Sequence, residues 1–138
     1  MRPGRSRLAR FHNRSRAERR LLVRAALLFV AAHALARMRE FDRMRARMKG
    51  LARHIGASAA DPSQLSWAVT AIGSNLPGHH SCLVRALCCE AIAANSGIPT
   101  EFRLGAAHQE GRMHFHAWVE HDGVVLTGEH DGTFAPLA

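Results

Sequence analysis

Tyrosine is missing from the 138 residues, and only two Trp and six Phe supply aromatic bulk. The core must therefore lean on Ala, Leu, Val and Ile, and a chain of this length buries one modest core rather than two. Cysteine is scarce as well, at three. The number is odd, and Cys88 and Cys89 are adjacent, so bridging them to each other would be strained; this excludes a disulfide framework. Reduced thiols fit a cytoplasmic protein. Acid is scarce in one region only. Residues 1–57 hold 16 of the 19 Lys and Arg but 3 of the 11 Asp and Glu, a net +13, while residues 58–138 carry −5.

That asymmetry divides the chain into a basic helical N-terminal region, 1–57, and a second part, 58–138. A basic half points to an anionic partner such as a membrane surface, an acidic protein or nucleic acid, or else to a solvated helix face. Nucleic acid is not the expected partner; a membrane surface stays open. Residues 1–14 are Arg-rich and aperiodic, which predicts a loose basic arm. From about Ser15 to Met48 the spacing predicts helix, with Leu21, Leu22, Ala25, Leu28, Phe29, Ala32 and Leu35 on one stripe. Arg24 interrupts the apolar run, which falls short of the roughly 20 residues a span needs and argues against an export signal or anchor.

Asp61-Pro62-Ser63-Gln64 reads as a helix start. After Pro77-Gly78-His79-His80, Ser81 can cap a further helix whose buried stripe is Val84, Leu87, Cys88, Ala91 and Ile92. Asn95-Ser96-Gly97 closes it and Pro99 forbids its continuation. Thr100–Leu104 alternates like a strand. Residues 112–120 set Met113, Phe115, Ala117 and Val119 against His114, His116, Trp118 and Glu120. Asp122-Gly123 then supplies a two-residue hairpin turn before Val124–Thr127. The order, N-terminal helices followed by a small antiparallel sheet, defines an α+β class.

Chemistry concentrates at two points. Cys82 falls in the first turn of its helix, where unpaired backbone N–H groups and the positive end of the dipole favour a thiolate and can face an oxyanion. Cys88 and Cys89 read as packing. His116 lies on the strand face opposite the apolar stripe, beside His114. In a strict two-residue hairpin His116 sits across from Glu129 and His114 across from Asp131, with directly opposed side chains about 5 Å apart at Cβ. Glu129 could then fix the His116 tautomer as the third member of a triad does. A bulge near Gly128 would substitute Asp131. The residues alone leave two alternatives open. His114 and His116 with Cys82 or the His79-His80 pair could form a metal-binding module, or the chain could be a basic adaptor for nucleic acid or a membrane surface.

Ser81-Cys82-Leu83-x-Arg85-Ala86-Leu87, then Gly97-Ile98-Pro99, then His116-Ala117-Trp118-Val119-Glu120-x-Asp122-Gly123-x-Val125-Leu126, where x is any residue, resembles the transglutaminase-like leader peptidases of lasso-peptide biosynthesis. The resemblance runs from about residue 65 to the end of the chain. It implies a transglutaminase- or papain-like core in residues 58–138 and a Cys-His-acid protease that removes the leader from a ribosomally made precursor. Cys82 matches the nucleophile and His116 the base. The acid position usually carries Asp in the wider group, whereas the hairpin here offers Glu129. No cofactor or metal is implied. The partners implied are the precursor peptide, a separate leader-binding recognition protein, and an ATP-dependent macrolactam synthetase that closes the ring on the freed amine.

Overall fold

Helices begin in this chain where short polar side chains can take orphan amide protons. In the computed structural model, which describes residues 14–38, 40–76, 81–127 and 135–136, the Ser15 side chain accepts from the Glu18 amide ahead of α1 (Arg16–Leu35). Asp61 accepts from the Gln64 amide ahead of α3 (Pro62–Asn75), and the Gln64 side chain returns to the Ala60 amide at 2.7 Å. Ser81 caps α4 (Cys82–Asn95) through the Val84 amide. The remaining helix, α2 (Phe41–Ile55), starts at Glu40 without a side-chain cap bond and ends at Gly56 in the left-handed conformation, φ 73°.

The single helical run expected from Ser15 to Met48 is thus two helices, broken between Leu35 and Phe41. An unbroken helix over residues 16–55 would be ~60 Å long, far more than a core of this size can cover. Breaking it lets Met44, Met48 and Ala52 of α2 join the cluster that already holds Leu28, Phe29 and Ala32 of α1. Among the described residues no helix is long and apolar enough to cross a membrane.

The sheet has the order β3-β2-β1-β4 and is antiparallel throughout. Its strands are β1 (Glu101–Gln109), β2 (Arg112–His121), β3 (Val124–Thr127) and the two-residue β4 (Ala135–Pro136). β1 runs five residues past the expected end at Leu104, because Glu110 and Gly111, both at positive φ (53° and 74°), turn it tightly into β2. Asp122 and Gly123 repeat that geometry (49° and 78°) as the turn expected between β2 and β3.

The hub is α4, which touches all three other helices as well as β2 and β3. Its residues from Ala86 to Ala93 are buried without interruption. One of them is a carboxylate. Glu90 takes a two-point hydrogen bond from Arg45 of α2, at 2.8 and 2.5 Å. The same guanidinium lies over the rings of Phe102 (5.0 Å) and Phe41 (5.7 Å). Farther along, Asn95 donates to the Ala52 and Ala57 carbonyls, and the Ser96 hydroxyl accepts from the Ala59 amide.

Only half of the expected apolar stripe on β2 belongs to the core. Ala117 and Val119 are buried, but Met113 is 47 % and Phe115 68 % exposed. The cause is the start of α4. Its first residue lies level with Ala117, so the helix leaves the earlier part of β2 uncovered.

Candidate active site

Cys82 is the first residue of α4 and is half-buried. Of the first-turn amides, Val84 is taken by the Ser81 hydroxyl and Arg85 by the Ser81 carbonyl. The Cys82 and Leu83 amides precede the intrahelical ladder, where a negative charge is best placed to receive them. The thiol has one further contact that sequence reasoning did not anticipate. The Ala117 backbone N–H donates to Cys82 Sγ at 3.4 Å. Strand N–H groups lie in the plane of the sheet, so the sulfur sits at the edge of β2, beside the peptide bond that joins His116 to Ala117. The structure therefore brings the Cys82 sulfur to the backbone of the residue that follows His116.

The other two thiols are unlike it. Both are fully buried. Burial pushes the Cys88 thiol well above its usual range, with Cys89 adding to the effect. Burial, reinforced by the charge of Glu90, pushes Cys89 up to about 12. Neither supplies a thiolate at neutral pH.

His116 lies on the expected face, away from the Ala117 and Val119 side chains. Its ring stacks on Trp118, with centroids 5.7 Å apart and an interplanar angle of 22°. Trp118 in turn donates from Nε1 to Glu120 at 2.9 Å, and Glu120 pairs with Arg103 at 3.6 Å. Across the ladder His116 faces Gly105, which has no side chain to crowd the imidazole. His114, one pleat away, is exposed and faces Ala107. Glu120 had no expected role, yet it fixes the indole on which His116 rests. Its i, i+2 spacing from Trp118 was the available signal.

The acid is a different matter. β2 and β3 keep the strict two-residue-turn register at His121–Val124 and Glu120–Val125, then slip by one residue, so that Val119 pairs with Thr127. The strict register was the expectation, with a bulge near Gly128 only as the alternative; the break falls two residues earlier than that alternative, at Leu126. The unbroken register that set Glu129 across from His116 and Asp131 across from His114 thus stops at Glu120. Glu129 and Asp131 themselves lie outside the described residues, as do His79 and His80. Among the described residues no group of three His, Cys, Asp or Glu side chains is arranged to hold a metal ion.

Arg85 completes the surroundings one turn along α4. Its Nη2 donates to the Gly73 carbonyl in α3 at 3.1 Å. A Cβ on Gly73 would stand 2.8 Å from the guanidinium carbon, so it is the missing side chain at 73 that admits the arginine.

Helices followed by an antiparallel sheet, with Cys82 starting the helix at the centre of the fold, are what the structure offers for comparison with known families. The match is explicit over residues 25–138, which fit the family model described as the Transglutaminase-like superfamily. The chain belongs to that superfamily. No curated protein and no solved structure matches it.

Proposed function

We propose that the protein is a cysteine peptidase that removes the leader from a ribosomally made lasso-peptide precursor. The observation that carries this reading is the Cys82 sulfur, held between the first turn of α4 and the Ala117 amide next to His116. Cys82 thiolate attacks the carbonyl at the leader–core junction, and the oxyanion is received by amides at the start of α4. His116, having taken the thiol proton, gives it to the departing core amine. Water, deprotonated by His116, then attacks the thioester, releasing the leader acid and restoring the thiol.

Glu129 is the proposed third member, orienting His116, with Asp131 as its substitute. Glu129→Gln should lower turnover by ~10²–10⁴ and Asp131→Asn far less. A crippling Asp131→Asn beside a harmless Glu129→Gln would exchange their roles. The proposed setting is cytoplasmic, with a separate leader-binding recognition protein delivering the precursor and a macrolactam synthetase consuming the freed core.

The test is mass-spectrometric detection of precursor cleavage with the recognition protein present. Cys82→Ala and His116→Ala should abolish cleavage, whereas Cys88→Ala should retain it. Full cleavage by folded Cys82→Ala would refute the reading.

A further inference from the structure

Phe115 and Met113 stand on the same face of β2 as Ala117, two and four residues before it. They are the part of the apolar stripe that α4 leaves open. Same-face neighbours along a strand are about 7 Å apart, so the Phe115 side chain begins roughly two residues of extended peptide from the Cys82 sulfur. Across the ladder Phe115 meets Ala106 and Met113 meets His108. An alanine opposite the ring keeps that side low, and the exposed Arg112 and His114 belong to the other face.

Other apolar side chains are exposed too, among them Val23, Leu27 and Val30 on α1 and Val124 beside the last turn. None of these adjoins the site, and nothing in the structure says what would cover them. The Phe115 shelf lies two residues along β2 from the Ala117 amide that holds the Cys82 sulfur. His116 is on the opposite face of the strand and delivers a proton to the departing amine, so that face takes the amine side of the substrate. The acyl side falls to the face that carries Phe115.

We infer that Phe115 and Met113 form a subsite for an apolar side chain of the peptide substrate, within about two residues on the N-terminal side of the scissile bond. This rests on the peptidase reading and adds a preference to it.

Covalent labelling of Cys82 tests both and separates them. A Leu-Gly and a Gly-Gly chloromethyl ketone, each displaced at chloride by the thiolate, are compared with iodoacetamide, and intact mass follows the adducts. The Leu reagent should react about fivefold to tenfold faster than the Gly reagent, the gain expected from covering part of a leucine side chain. In the double variant Phe115→Ser, Met113→Ser the ratio should fall to within about twofold, with the iodoacetamide rate unchanged. Val124→Ser should keep the full ratio. Equal rates in the unmodified protein, or a preference that survives the double variant, would overturn the subsite alone. Failure of iodoacetamide to modify Cys82 in the folded protein would overturn the peptidase reading and the subsite with it.

Discussion

The two ends of α4 are built on opposite plans. Toward its C-terminus the helix is tied by side chains: Arg45 to Glu90, Asn95 to two carbonyls, and the Ser96 hydroxyl to the Ala59 amide and the Ile92 carbonyl. At its N-terminus the ties are made mostly by backbone groups, the Ala117 amide on the sulfur and the Gly73 carbonyl on Arg85. One end is fixed by partners that would be costly to leave unpaired. The other presents a half-buried thiol at the edge of β2. A reactive group can stay accessible here because the rigidity it needs is supplied two turns away.

That contrast can be broken, and the largest effect expected is chemical. In native protein iodoacetamide should modify Cys82, while Cys88 and Cys89 wait for the helix to open, a rate ratio on the order of 10³ or more, read by peptide mapping. Comparable labelling of all three thiols would erase the difference between the ends. Next comes Arg45→Ala. It leaves the Glu90 carboxylate buried without its main partner, for Lys49 approaches only to 4.0 Å. The expected loss is about 3 kcal/mol, or roughly 10 °C in the melting midpoint. Asn95→Ala should cost less, about 1–2 kcal/mol, because neutral carbonyls lose their donor. Smallest is Cys82→Ala, whose unfolding in urea should stay within ~1 kcal/mol of the parent protein. A larger shift there would mean that the thiol supports the fold as well as the chemistry.

Much of this was legible in the sequence because it is local. Ser81 and Asp61 cap the helices they were expected to cap, Asp122-Gly123 makes its turn, and Cys82 sits at the helix start. Each depends on side chains within three or four residues. What escaped depends on distant neighbours. Glu90 lies on a helix face that reads as apolar, and its partner Arg45 is forty-five residues earlier in a run of arginines that look alike. The exposure of Phe115 follows from where α4 begins against β2, which no alternation of residues encodes. The slip at Leu126 is of the same kind, since a bulge leaves the pattern of types intact while moving every later pair. The bounds of β1 were missed for a nearer reason: Gly105, Ala106 and Ala107 carry weak strand preference and are held as strand by pairing with β2, the first two with β4 as well.

Gly73 carries a consequence of a different sort. It sits inside α3, is not among the glycines held at positive φ, and alanine there would by itself favour the helix by about 1 kcal/mol. The added methyl would instead push against the tip of Arg85, whose hydrogen bond to the Gly73 carbonyl is worth a similar amount or somewhat more. The two contributions nearly cancel in a melting curve. The displaced guanidinium, however, lies one turn from Cys82, so Gly73→Ala is a lesion that a stability screen would pass as silent and only an assay of the thiol would reveal. Positions 73 and 85 are in this sense a single unit of inheritance: a side chain can be gained at the first only when the second has shortened.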